Sequence, residues 1–235
     1  AENAASLPGG TWESIAKLPD WAGAWQPLRV PGEAGAPTTR TTGIKFRREV
    51  QAKFDAVRKI DEAGGDKSSR NLHCVTRGLP GDMGSAETMM EFGYTPGEIM
   101  IVQVEGSVRH IYTDGRPHPN VEDLIDTFQG DSIGHWEGDT LVVDTIAIDA
   151  GNEFISGFAQ GANSHVTERM HLTAPDVLTI ETIIDAPEVL SEPYHFTTRY
   201  GRHRDWQMVE FDCAQNNADL DTQTGKQIFA SPPPN

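Results

Sequence analysis

From residue 98 onward, apolar and polar residues alternate in short runs separated by turn residues. Period-two alternation sends successive side chains to opposite faces and marks half-buried strands. Glu105-Gly106 separates one such run at 98–104 from another at 108–113. Glu137-Gly138-Asp139 joins the two runs within 132–145, and Ala174-Pro175-Asp176 joins 165–172 to 177–184. A short Gly- or Pro-bearing turn between alternating runs signals a hairpin. Further strand signals lie at 194–200 and 207–213. Three hairpins in succession predict a mainly β fold, an antiparallel up-and-down meander closing into a barrel, because an open edge invites aggregation.

The stretch before the barrel has a different pattern. Residues 1–42 are rich in Pro, Gly and Thr but carry Trp12, Trp21 and Trp25. They read as an extended arm, with a short helix near 12–18, that packs its indoles on the main body. Between 44 and 63, Phe46, Val50, Phe54, Val57 and Ile60 recur at three- and four-residue spacing, predicting an amphipathic helix that stops at Gly64-Gly65. Residues 66–97 read as mixed loop, with Met83, Met89, Met90 and Phe92 at a pocket mouth or filling core gaps. The organisation is therefore an arm and helix at 1–70, a barrel at 71–216 and an extended tail at 217–235. The long connection at 149–163 reads as a lid over a functional pocket.

Composition narrows the function classes. The chain has 235 residues and a formal charge of −16, which disfavours nucleic acid and anionic membranes as partners. No apolar run is long enough to insert in a membrane as a helix. Residues 1–6 look like a mature end left by removal of an export signal. Cys74 and Cys213 sit in no Cys-x-x-Cys pair, and in an exported protein they read as a disulfide tying the start of the barrel to its last strand, two buried thiols being the alternative.

Strand alternation groups the reactive side chains. His110, Tyr112 and Asp114 share a face opposite Arg109 and Ile111; Ile133, His135 and Glu137 share another. Asp144 lies with Val142 and Ile146, and Glu168 with Val166, Met170 and Leu172. Both read as carboxylates turned into an apolar interior, where burial raises a carboxyl pKa toward the range useful for proton transfer. A buried ion pair with Arg109, Arg169 or Arg199 is the alternative. Asp114 and Arg116 read as a turn-fixing pair, and His118 is left unassigned. None of the eight His residues falls in a recognised metal-ligand spacing, so no metal is expected. There is no nucleophile elbow, phosphate loop or dinucleotide fingerprint, so no cofactor is expected either.

Several segments resemble those of a large family of exported bacterial proteins. They are LPDWAGAW at 18–25, HCVTRGLP at 73–80, IYTDGRPHP at 111–119, GDSIGHWEGDTL at 130–141, Glu168-Arg169 and EFDC at 210–213. Thr76 stands where that family commonly has Pro. The resemblance implies a periplasmic or secreted protein. By shape the barrel is similar to lipocalins and calycins, which include ligand binders and cofactor-free lyases, isomerases and hydratases.

The first functional expectation is a cofactor-free acid–base enzyme, of the lyase, dehydratase or isomerase type, acting on a small, largely apolar molecule such as a terpenoid or phenolic. Asp144 and Glu168 would be the acid–base pair, with His110, Tyr112 and His135 assisting in catalysis. His195, Tyr194, Phe196, Trp136 and Arg199 would bind substrate. The alternative is an exported small-molecule carrier without turnover, and a purely structural envelope protein is the third reading. A homo-oligomer is compatible with each.

Overall fold

The computed structural model describes residues 4–28, 43–63, 78–82, 89–104, 106–155, 158–209, 218–220 and 227–229. The strands among them are β1 (Ala24–Pro27), β2 (Met90–Thr95), β3 (Glu98–Gln103), β4 (Val108–Tyr112), β5 (Asp131–Glu137), β6 (Thr140–Ile146), β7 (Glu153–Ile155), β8 (Phe158–Ala159), β9 (His165–Ala174), β10 (Val177–Asp185), β11 (Tyr194–His203), β12 (Ala218–Leu220) and β13 (Gln227–Phe229). Nine of these close into a barrel in the order β1-β11-β10-β9-β6-β5-β4-β3-β2, while β7–β8 and β12–β13 form separate two-stranded ribbons. The expected mainly β barrel is present, and the three expected hairpins are β3–β4, β5–β6 and β9–β10.

One pairing departs from a strict up-and-down course. β4 and β5 run parallel, with Ile111 beside Ser132 and Tyr112 beside Ile133. Parallel neighbours cannot be joined by a tight turn and need a crossover. Segment 113–130 is that crossover, and it carries much of the chemistry described below.

The arm does more than pack on the barrel. β1 pairs with β11 on one side and with β2 on the other, so the arm supplies the strand that closes the wall. Trp21 and Trp25 are fully buried, and Trp21 meets the rings of Phe92 at 4.9 Å and Trp136 at 5.3 Å. Arg202 seals this region: its guanidinium lies 4.6 Å from the Trp25 ring and donates to the Asp20 carboxylate at 3.0 Å and the Pro175 carbonyl at 2.9 Å. The expected helix forms as α2 (Arg48–Glu62), preceded by a shorter α1 (Trp12–Ile15). Phe46, just ahead of α2, and Phe54 within it meet as tilted rings at 4.6 Å and pack against the core. Among the described residues no helix is long and apolar enough to cross a membrane.

Three local expectations change. The segment read as loop at 66–97 contains β2, whose Met90, Phe92 and Tyr94 join or pack on the core. Residues 207–209 are not strand, and the rest of the run expected at 207–213 lies outside the described residues, as do Cys74, Cys213 and Met83. The connection at 149–163 is pinned rather than lid-like where it is described. The buried Asn152 donates to the Phe128 carbonyl at 2.8 Å and to the Leu79 carbonyl at 3.1 Å, and the Gln160 backbone donates to the Asn152 carbonyl at 2.9 Å.

Candidate functional site

The wall formed by β4, β5, β6 and β9 carries polar groups on both faces. Inside, Arg109 of β4 is buried with an exposure of 4% and Glu168 of β9 with 0%. The Arg109 guanidinium is paired with Glu168 Oε2 and also donates to Thr145 Oγ1 at 2.8 Å and Ser132 Oγ at 3.1 Å. The two hydroxyls are 2.9 Å apart. A buried charge is tolerated when it is paired and hydrogen-bonded, and this cluster meets both conditions for Arg109. The inward orientation expected for Glu168 is therefore present, as is the Arg109 ion pair weighed as its alternative.

Asp144 has the opposite orientation to the one expected. Strand β6 is apolar on both faces, with Leu141, Val143 and Thr145 buried, and Val142, Asp144 and Ile146 on the outer side. Period two cannot choose between two such faces. The cost of burying an unpaired carboxylate can, and it turns Asp144 outward, where its side chain is 41% exposed. Asp144 and Glu168 thus lie on opposite sides of the wall and cannot act on one molecule as a pair.

Outside, Asp144 meets other partners. His118, from the crossover, places Nδ1 2.5 Å from Asp131 Oδ1 and Nε2 3.4 Å from Asp144 Oδ2. The second oxygen of Asp144 is paired with Nε2 of His165, at the start of β9. The order is Asp131, His118, Asp144, His165. Asp131 opens β5, Asp144 sits near the end of the antiparallel β6, and the crossover lays His118 across them. An ionised carboxylate only accepts hydrogen bonds, so the hydrogen shared with Asp131 belongs to His118 Nδ1. That leaves His118 Nε2 facing Asp144, closed to solvent and without a hydrogen bond among the described residues; a carboxylate on the far nitrogen, here Asp131, is the arrangement that orients an imidazole. His118 is mostly shielded, whereas Asp144 and His165 are about half exposed, so the outer end of the series is reachable from solvent. On the same face, cross-strand register sets Ile146 beside Asp131 and Ile133 beside Asp144, so each acid has an apolar neighbour. Among the described residues no group of three or more His, Cys, Asp or Glu side chains is arranged to hold a metal ion.

The other expected site residues are scattered. His110 is half exposed on the outer face and contacts Glu98 at 2.6 Å. Tyr112 is on the same outer face, with the Arg116 guanidinium 4.0 Å from its ring. His135 is exposed and contacts Glu137 at 3.3 Å. These three face away from the barrel interior because Arg109, Ile111, Ser132 and Gly134 take the inward positions of their strands. Trp136 points inward onto Trp21 as a core residue. Tyr194 and Phe196 stack at 5.6 Å on the inner side of β11, while His195 and Arg199 are exposed on its outer side. The five residues expected to bind substrate are thus divided between the inner and outer faces of the wall. The turn-fixing pair is present: Arg116 Nη2 donates to Asp114 Oδ2 at 2.6 Å, and this pairing holds the Asp114 carboxyl below its usual pKa.

Residues His118, Asp131 and His165 were not grouped by sequence reasoning, although Asp131 and His118 lie in two of the quoted motifs. The grouping follows from the parallel β4–β5 pairing, which carries no short-range signature. No protein-family model matches the chain, and no curated protein matches it.

Proposed function

We propose that the protein is an acid–base enzyme of the lyase or isomerase type that moves protons on a small, largely apolar molecule and works without a cofactor. The proposed site is the outer-wall series Asp131, His118, Asp144 and His165. The single observation that carries this reading is His118 held between two carboxylates while the far oxygen of Asp144 engages a second, half-exposed imidazole. In this reading Asp131 orients His118, His118 backs Asp144 from the shielded side, and the half-exposed Asp144 exchanges the proton with substrate. His165 links the series to solvent. Such positioned acid–base groups accelerate reactions by roughly 10²–10⁴-fold. Ile133 and Ile146, interleaved with the acids, support an apolar substrate over a charged one. The periplasmic or secreted setting suggested by the motif resemblance belongs to the same proposal.

The alternative of a carrier that stores its ligand inside the barrel has less support. Among the described residues, one interior cavity, bounded by Leu79, Arg109, Glu168 and Tyr200, has a volume of about 20 Å³. That is room for about one water-sized guest.

The test is untargeted mass spectrometry of a metabolite extract incubated with wild-type protein, His118→Asn and Asp144→Asn. A compound consumed by the wild type and spared by both variants supports the assignment. Equal consumption by all three refutes the site. Consumption by none refutes turnover.

A further inference from the structure

The barrel interior contains a second polar feature that the outer-wall reading does not use. Glu168 is fully buried; its Oε2 is taken by Arg109, while Oε1 is inaccessible to solvent and has no hydrogen-bond partner among the described residues. An ionised carboxylate oxygen left in this state is costly, so one in a folded protein calls for a donor. Glu168 also lines the interior cavity of about 20 Å³. A cavity holds a water molecule once about 10–15 Å³ is open to it and two or more polar partners are at hand. Both conditions are met, because Gln103, Gln129 and Asp82 line the same space.

We infer that this cavity is a binding site for a single water-sized hydrogen-bond donor, which donates to Glu168 Oε1. The chemistry of the lining sets the class of guest. Carboxylates only accept, so an acceptor-only guest such as a halide gains nothing from Glu168. Water and ammonium share the required size and donor capacity. The remaining wall is apolar, including Met90, Ile101 and Met170, so the guest is directed to the polar side of the cavity. Gln129 donates to Asp82 at 2.7 Å, tying two of the lining residues together. Because Glu168 Oε1 is closed to solvent, a guest bound to it should exchange slowly compared with surface hydration.

The site is tested in the full-length protein by water-oxygen magnetic relaxation dispersion and, separately, by nitrogen-15 NMR in labelled ammonium chloride. The comparison protein is the double variant Arg109→Met/Glu168→Met, which removes both buried charges at similar volume and so keeps the fold. Water as the guest predicts one more long-lived internal water in the wild type than in the double variant. Ammonium as the guest predicts a saturable, slowly exchanging ammonium signal that the double variant lacks. A crystal structure of the wild type provides a check that needs no variant: density within hydrogen-bond distance of Glu168 Oε1 is expected. Equal water counts together with no bound ammonium, or a protein group found donating to Oε1, would overturn the inference. Neither outcome bears on the outer His118–Asp144 series, so the two proposals fail separately.

Discussion

Two polar clusters occupy opposite faces of one wall, and adjacent residues divide between them. Asp131 faces out and Ser132 in; Asp144 faces out and Thr145 in. The inner cluster is closed to bulk solvent, its charges are paired, and its hydroxyls are used to satisfy Arg109. The outer cluster is half open, with His118 set between two carboxylates and Asp144 between two imidazoles. The difference shows how environment assigns a role to the same residue types. A carboxylate shut off from bulk solvent is committed to a permanent partner and acts as a structural tie. A carboxylate shared between two imidazoles beside solvent can pass a proton and recover it.

The largest expected effect comes from breaking the inner tie. Arg109→Ala leaves Glu168 charged and alone, and should lower stability by about 3–5 kcal/mol in urea denaturation. Arg109→Met/Glu168→Met should equal or exceed the wild type in the same assay. If the single and double variants are equally unstable, the loss is one of packing rather than of charge pairing.

A smaller effect probes how closely the wall is packed between the two clusters. A Cβ added at Gly134 would lie 2.9 Å from Ile111 Cγ2 and 3.3 Å from the Val142 carbonyl. Gly134→Ala should cost about 1–3 kcal/mol through overpacking, read as a lower urea midpoint. The outer cluster should behave differently. Exposed ion pairs contribute roughly 0–1 kcal/mol, so Asp144→Asn and His165→Asn should each change stability by less than about 1 kcal/mol. A loss comparable to that of Arg109→Ala would mean that the outer series is structural.

The smallest effect concerns acid stability. The backbone amide of Ala22, with help from Arg204 and Arg202, lowers the pKa of Asp20, and Arg116 lowers that of Asp114. Both folded-state values lie below the 3.8 of an ordinary aspartate. The unfolded state therefore binds these protons first as pH falls, and the stability they contribute is present above that value and lost in stronger acid. Asp114→Asn should flatten the fall in melting temperature below about pH 4. An unchanged acid slope would remove Asp114 from the account.

Much of the barrel was legible in the sequence because its turns are local. Glu105-Gly106, Gly138 and Pro175-Asp176 mark hairpins wherever the strands lie in space. β2 escaped because it holds no Val or Ile and Gly93 interrupts its run. Face assignment was harder. In β6 both faces are apolar, so alternation grouped Val142, Asp144 and Ile146 correctly yet could not say which group faced in. Glu168 was easier, since Val166, Met170 and Leu172 share its side against His165, Arg169 and His171 on the other. His118 was out of reach for a different reason. Its contacts with Asp131 and Asp144 depend on a crossover between parallel strands, and no local periodicity encodes which segment crosses over which.

The central claim is that proton transfer belongs to the outer series and structural support to the inner one. The most direct measurement compares two variants, His118→Asn/Asp144→Asn and Arg109→Met/Glu168→Met, against the wild type for consumption of the compound found in the metabolite screen, with circular dichroism confirming the fold of each. The outer double variant should lose roughly 10²-fold or more in turnover while staying folded, and the inner one should retain turnover. Retained turnover in the folded outer variant, with loss in the folded inner one, would contradict the account and return catalysis to the barrel interior.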